Sequence, residues 1–403
     1  MTLRFLSGAT ALLTAWTVLA AELPPIRADE AVERPRVQST GDFLVIEAPG
    51  ENNAIDTPRG TTASRLSVSG RVYRWTPSDD TSRVTGGAAL FDAVQSPDES
   101  FLLLGERVGA ADGPNSSRLI GFNLFNKKLT SGITLPERKL GSLRFLPSGT
   151  TLLAVEKAQP QLARPDRLLL IDLAAGKTVA ESEALDRPVA AAETNGKKCW
   201  FTLEGANQFH SLGLREFGAS PKTAQTLVKG GKLLLSPDGS TLAIYGSGQL
   251  EIYDVGAEPP RLLRAMPLPK GFTPDWGLAL SEKLDELLLV ESGRNAWLVS
   301  GKSLRPLAEK SGQAGCYDFS DRRLLLTLAA DETIGLYQLP AATAPSMMVS
   351  PRRLKPFNRN DNFRLFNRSG KEPQAILVDH RGNVSILEIR PRRWKKMPVY
   401  QIP

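Results

Sequence analysis

The chain of 403 residues carries 50 Lys or Arg against 43 Asp or Glu, a formal net charge of +7, with 41% hydrophobic and 23% charged residues. That balance excludes a disordered chain. The length exceeds the roughly 250–300 residues at which single cores stop growing, which leaves two domains or a repeat array.

The N-terminus reads as a separate object. Met1-Thr2-Leu3-Arg4 supplies one positive charge, residues 5–19 are apolar apart from small or hydroxylated positions, and Val18-Leu19-Ala20 offers small residues where a signal peptidase reads. Residues 1–21 are therefore expected to be a secretory signal peptide, cleaved after Ala20 or Ala21. The apolar run falls short of the roughly 20 residues of a good span, which favours cleavage over an anchor. No later segment is apolar enough to cross a membrane, so the mature chain is expected to be secreted or periplasmic. Residues 22–40, with Pro24, Pro25 and Pro35, read as a linker or first strand, and residues 41–403 as one folded unit.

Within that unit one phrase recurs: strand, turn, strand, turn, strand. Ahead of the clear copies, residues 42–46 and 65–75 resemble the second and third strands of an early copy, with its first strand near 34–38. Clear copies begin at 93 (AVQSPDESFLLL), 143 (LRFLPSGTTLLAV), 189 (VAAAETNGKKCWFTL), 233, 278 (LALSEKLDELLLV), 317 (YDFSDRRLLLTL) and 363 (FRLFNRSGKEPQAILVD). The copy at 233–255, LLLSPDGSTLAIYGSGQLEIYDV, is the best preserved, and in its third strand Leu250 and Ile252 alternate with Gln249 and Glu251. Pro presets φ in its first turn, Asp bonds its own backbone and Gly tolerates φ > 0. Residues 262–266 and 394–400 are candidates for a fourth strand. Residues 341–356 read as a loop in which Met347 and Met348 could cover an edge.

Spacing sets the architecture. Pro97 to Pro147 is 50 positions, Pro147 to Pro237 is 90, and Pro237 to the matching Glu282 is 45. A period of about 40–50 with four short strands per unit is that of a β-propeller. The expected fold is all-β: a single propeller of eight four-stranded blades, or seven if the N-terminal copy shares a composite blade with the C-terminal one. Helical periodicity for a two-domain α/β alternative is missing outside the signal peptide.

On Ser236-Pro237-Asp238-Gly239 with its variants at Ser96 and Pro147, and on Ile252-Tyr253-Asp254 and Ile171-Asp172-Leu173, the chain resembles the divergent bacterial WD40-like and YVTN-type propeller repeats. It has no Trp-Asp or Gly-His pair, and several copies lack the Pro or Gly of the first turn. The resemblance implies a rigid toroid with a channel, first strands innermost and binding loops on one rim. Insertions at 47–62, 106–115 and 157–166 fall at corresponding points of adjacent copies, so they are expected to project on one face.

Chemistry-bearing clusters are sparse. His210 lies in a third strand and His380 in a turn, neither with a second ligand at metal-like spacing, so no metal or other cofactor is expected. No Gly-x-Ser-x-Gly occurs, and Asp285-Glu286 and Asp331-Glu332 are adjacent carboxylates in turns, where solvated charge is the ordinary role. Cys199 and Cys316 lie three copies apart, which favours separate buried thiols over a disulfide. No catalytic residue is assigned.

Two sets of residues are candidates for binding. On the channel rim, Arg144, Asp275, Trp276, Asp318 and Arg364 break the apolar norm of first strands, either as ligand contacts or as structural pairs across the channel. At the C-terminus, residues 350–403 hold 13 Lys or Arg against four acids, a local +9 that leaves −2 for everything before. Arg392, Arg393, Trp394, Lys395 and Lys396 form its densest run. Such a patch concentrates anions; in an exported chain an acidic protein or envelope component is a better candidate partner than nucleic acid. The functional expectation is a monomeric, non-catalytic binding scaffold in the envelope or outside the cell. The alternative is a lactonase-type or other hydrolase propeller acting on a small substrate at the channel mouth.

Overall fold

A computed structural model of the protein describes residues 36–46, 65–74, 90–108, 115–126, 129–246, 248–291, 295–306, 311–319, 322–329, 334–339, 347–349, 364–368, 374–378 and 384–392. These residues are mostly strand, in antiparallel sheets of which all but one are made of sequence neighbours. The two N-terminal strands are β1 (Arg36–Ile46) and β2 (Arg65–Arg74). The next sheet holds β3 (Leu90–Gln95), β4 (Phe101–Val108), β5 (Ser116–Asn123) and β6 (Leu129–Leu135). It is followed by β7 (Leu140–Phe145), β8 (Thr151–Glu156), β9 (Arg167–Asp172) and β10 (Lys177–Glu181). Then come β11 (Val189–Thr194), β12 (Lys198–Leu203), β13 (Gln208–Gly213) and β14 (Lys222–Gln225). The copy with the best-preserved turn forms β15 (Lys232–Leu235), β16 (Thr241–Gly246), β17 (Gln249–Asp254) and β18 (Arg261–Pro267).

Two further four-stranded sheets are β19 (Trp276–Ala279) to β22 (Ser303–Pro306), through β20 (Glu286–Glu291) and β21 (Asn295–Ser300), and β23 (Ser311–Phe319) to β26 (Met347–Val349), through β24 (Arg322–Ala329) and β25 (Ile334–Leu339). The last strands, β27 (Arg364–Arg368), β28 (Gln374–Val378) and β29 (Val384–Arg392), complete a five-stranded sheet with β2 and β1, in the order β1-β2-β29-β28-β27.

The N-terminal copy therefore does not make a sheet of its own: of the two expected arrangements, eight units or seven with a shared composite one, the described residues form seven sheets, with the N-terminal strands in the last. Residues 34–46, expected to hold two strands, are one long strand from Arg36 with a bulge between Ser39 and Gly41. β2 pairs with β29 over nine positions, from Arg65 opposite Arg392 to Tyr73 opposite Val384. An isolated two-stranded ribbon is marginal in water, and joining a three-stranded sheet supplies its missing partner. Met347-Met348-Val349 is likewise a strand, pairing with β25 as the outer edge of its sheet, where a loop was expected.

Cores lie between sheets, because the middle strands from β4 to β21 bury both faces. The alternation expected along β17 fails for that reason: Leu250, Glu251, Ile252 and Tyr253 are all buried. Leu103, Leu119, Leu143 and Leu169 pack in one cluster between β3–β6 and β7–β10, and Trp200, Phe209, Leu242 and Ile244 in another between β11–β14 and β15–β18. Leu102, Leu104 and Phe122 pack on Ile376, Val378, Val384 and Ile386, joining the C-terminal sheet to β3–β6. Each such side chain removed from water is worth about 1.5–3 kcal/mol.

First turns reinforce this stacking. In the turn after β15, Ser236 Oγ accepts from Thr241 N at 2.9 Å and donates to Asp238 Oδ1 at 2.6 Å, while Asp238 Oδ1 accepts from Ser240 N at 2.9 Å. Gly239 takes φ +69°, the conformation that Glu99 and Leu284 adopt without a glycine's freedom in the matching turns. A Cβ on Gly196 would meet Pro147 Cδ at 2.7 Å, and one on Gly239 would meet Asn195 Cβ at 2.8 Å. Each of these turns thus beds on the first turn of the preceding sheet.

Candidate functional site

The first strands adjoin one another: β3 lies by β7, β7 by β11, β11 by β15, β15 by β19 and β23 by β27. Arg144, on β7, sits between acids from both neighbours. Its Nε donates to Glu193 Oε1 on β11 at 2.8 Å, its Nη1 donates to the Leu143 carbonyl at 2.7 Å, and Nη1 lies 3.7 Å from Asp92 Oδ2 on β3. Asp92 is buried and accepts from Leu143 N at 2.9 Å and from Ala93 N at 2.9 Å. Glu193, more than burial opposes, holds the guanidinium pKa well above its ordinary value. This is a structural pairing between neighbouring first strands, where pairing across the channel was one of the two expected roles for Arg144. Glu193 and Asp92 escaped the sequence reading, although an acid, a base and an acid recur in successive first strands at blade-like spacing.

The other rim candidates are placed as follows. Asp275 is exposed just before β19, and its N–H bonds the Val290 carbonyl at 2.9 Å. Trp276, half-buried, packs on the cluster of Leu280, Leu288, Val290 and Ala296, and its indole Nε1 is buried without a hydrogen-bond acceptor. Asp318 lies on β23 and Arg364 begins β27. Of the basic run, Arg392 ends β29 opposite Arg65, while Arg393, Trp394, Lys395 and Lys396 lie outside the described residues, as does His380. Arg368 of the same C-terminal sheet stands 4.0 Å over the exposed ring of Phe125, a cation–π contact with β5's following turn.

A second polar assembly joins the insertions after β4 and β8. Gln159, buried, accepts from Asn115 N at 2.9 Å and donates to the Glu137 carbonyl at 2.8 Å. Nearby Arg138 donates to Glu156 at 2.9 Å and pairs with Glu181, which also accepts from Arg167 at 2.9 Å. Arg164 reaches Glu137 at 3.3 Å and lies 3.6 Å from Glu156. The Arg138 and Arg167 guanidiniums hold the Glu181 carboxyl below the usual carboxylate range. Asn115, closing the first of these insertions, therefore meets Gln159 in the second; residues 109–114 and the third insertion, 47–62, lie outside the described residues.

At the opposite ends of their strands, β12, β13 and β14 border a cleft of about 370 Å³. Trp200 and Phe209 form its floor, Val255 and Pro259 from the turn after β17 its wall, and Lys198 and Lys222 stand at its mouth with Glu258. Glu258 accepts from both lysines, from Lys222 at 3.3 Å, which lowers its pKa.

His210 stacks on Phe201 with centroids 5.0 Å apart, faces Thr223 Oγ1 at 3.2 Å, and burial lowers its pKa. Cys199 is a buried free thiol. Among the described residues no three His, Cys, Asp or Glu gather as a metal site, and no helix is long and apolar enough to cross a membrane.

No protein-family model matches the chain, and no curated protein does. Among solved structures the chain is similar to Kuenenia stuttgartiensis hydrazine synthase, at 13% identity and a TM-score of 0.47, over 65% of this chain and 80% of that one. The class that the strands define is an all-β, propeller-like protein of four-stranded antiparallel sheets.

Proposed function

We propose that the chain is an exported, non-catalytic binding scaffold in which seven sheets close into a β-propeller. Supporting closure, the first strands adjoin in sequence, β23 adjoins β27, and Ile376 and Ile386 share a core with Leu102 and Phe122. The composite C-terminal sheet then locks the ring by pairing the N-terminal strand β2 with β29.

The observation that carries the binding role is the tie between insertions: Gln159 holds Asn115 N and the Glu137 carbonyl, flanked by the Arg138–Glu156 and Arg167–Glu181 pairs. Loops fixed in advance lose less entropy on meeting a partner, which is the advantage of a rigid scaffold. The basic C-terminal run, Arg392 to Lys396, is a second attachment for an acidic protein or anionic envelope component.

Two measurements test this reading. Expression with the native N-terminus, followed by fractionation and N-terminal sequencing, should recover a chain starting at Ala21 or Glu22 outside the cytoplasm; a full-length cytoplasmic product would contradict export. Cross-linking in the host should capture a partner that is lost when Arg164→Glu and Arg138→Glu are introduced in the insertion face or when Arg392, Arg393, Lys395 and Lys396 are reversed. Capture unchanged by both sets, or lactone or ester hydrolysis by the purified chain above that of a multiple-substitution control, would overturn the non-catalytic scaffold.

A further inference from the structure

The geometry points to the cleft between β12–β14 and the turn after β17 as a site for a small amphipathic organic anion, an apolar body with a carboxylate at one end. It lies at the strand ends opposite the insertions, so it goes beyond the scaffold reading and does not depend on it.

Three features converge. First, the size is right: about 370 Å³ falls within the roughly 300–1,000 Å³ of small-molecule pockets. Second, the lining mixes apolar side chains with the Ser211 and Thr223 hydroxyls, and its aromatic part is stiff. Trp200 and Phe209 are both held by the core they share with Tyr253 and Leu242, and Phe209 meets the Tyr253 ring at 5.0 Å. Pro259 and Pro260 follow Glu258 on the facing wall. Third, the mouth is positively charged: the Lys198 and Lys222 ammoniums share a single carboxylate, Glu258. A ligand carboxylate completes that pairing, and the lysine stems extend over the apolar interior. Nothing at the mouth offers a matching arrangement for a cationic ligand, because Glu258 is already committed to both lysines.

The order of the residues along the chain explains the construction. Lys198 opens β12 directly after the Asn195-Gly196 turn and Lys222 opens β14, so both lie at the same end of one sheet. Trp200 faces the same sheet surface as Lys198, two residues on. Glu258 and the two prolines come from the neighbouring sheet, in the connection from β17 to β18. The cleft therefore exists only where two adjacent sheets are packed.

The test uses the full mature chain, with 2-naphthoate as probe and 2-naphthamide as its neutral isostere, by isothermal titration calorimetry at low salt. We expect naphthoate to saturate with a Kd on the order of 1 mM or tighter and naphthamide to bind at least ~5-fold more weakly. Lys198→Gln and Lys222→Gln should each weaken naphthoate ~3–10-fold and leave naphthamide unchanged. Glu258→Gln, which frees both ammoniums, should tighten naphthoate. Ser211→Trp, filling the cleft from β13, should abolish both, and an unchanged thermal melt for the lysine variants keeps the comparison free of unfolding. Absence of saturable naphthoate binding, equal affinity for acid and amide, or affinity unmoved by both lysine substitutions would overturn the assignment. Any of these leaves the insertion-face scaffold untouched.

Discussion

Arg144 Nε donates to Glu193 Oε1 at 2.8 Å, tying the first strand of one sheet to the first strand of the next. The same guanidinium lies 3.7 Å from Asp92 on the other side, so one cation holds three consecutive sheets in register. Arg144→Met removes it while keeping much of its length, and leaves the buried Asp92 facing Glu193 without the intervening charge. Breaking a fully buried pair costs about 3–5 kcal/mol; with a third of the Arg144 side chain exposed, about 2–3 kcal/mol is expected. Urea denaturation measures it, and a loss below about 0.5 kcal/mol would show that the pairing is incidental.

Glycines in a first turn and a second turn separate two costs. Gly196 and Gly248 both take positive φ, +83° and +84°, yet a Cβ on Gly196 meets Pro147 at 2.7 Å whereas one on Gly248 meets nothing within 4 Å. Gly248→Ala should cost only the left-handed backbone penalty, about 1–2 kcal/mol. Gly196→Ala should cost about 2–4 kcal/mol, since the preceding sheet's turn must also move. Equal melting temperatures for the two variants would contradict turn-on-turn bedding.

Inside the β15–β18 sheet, Glu251 is 1% exposed and accepts from Thr226 Oγ1 at 2.6 Å and Tyr253 Oη at 2.7 Å. Burial, then the adjacent carboxylate, pushes the Tyr253 hydroxyl well above its ordinary pKa. A group whose folded pKa is raised contributes stability that is complete below the unfolded value, near pH 10, and is lost as pH rises beyond it. Tyr253→Phe should therefore destabilise by about 1–3 kcal/mol at neutral pH. It should also flatten the alkaline decline of stability, followed by circular dichroism; an unchanged alkaline profile would contradict the linkage.

Cys199 is fully buried, donates to the Leu212 carbonyl at 3.6 Å, and burial pushes its thiol up to about 12. Thiolate chemistry at pH 8 is closed to such a group. In a Cys316→Ser background, the native protein should not react with an aromatic disulfide reagent, and one equivalent should react after unfolding in guanidinium. Rapid native-state labelling would show that the β12 core opens readily.

Much of the fold was legible because a propeller-like sheet is a local phrase. The Ser-Pro-Asp-Gly turn is built from groups within five residues of one another, as the Ser236 and Asp238 side chains and the Thr241 N–H show, so its chemistry is visible in any window that contains it. Edge pairing was less legible. β1 and β2 carry the alternation of strands, but β2's second partner, β29, lies more than 300 residues along the chain, so a composite sheet could be named only as one of two alternatives and no local pattern chose it. The alternation of Leu250 and Ile252 with Gln249 and Glu251 says nothing of which faces are covered; the burial of Glu251 follows from a sheet covered on both sides.

The candidate sites divide in the same way. That Arg144 is out of place in an apolar strand could be read directly; that Asp92 and Glu193 meet it depends on how sheets 49–52 residues apart are rotated together. The cleft was invisible, since Lys198, Phe209 and Lys222 come from one sheet and Glu258 from another.

By itself, the sequence determined the strands, their first turns, the repeat period and the concentration of basic charge at the C-terminus. Those depend on φ preferences, hydrogen bonds across a few residues and composition, all short-range. Tertiary structure alone decided which of the two arrangements of the N-terminal strands holds, that one arginine serves two acids, and that a lysine-lined cleft opens between neighbouring sheets. Each is a contact between segments far apart in the chain, and its free energy comes from burying apolar surface and matching charges only after the sheets have packed.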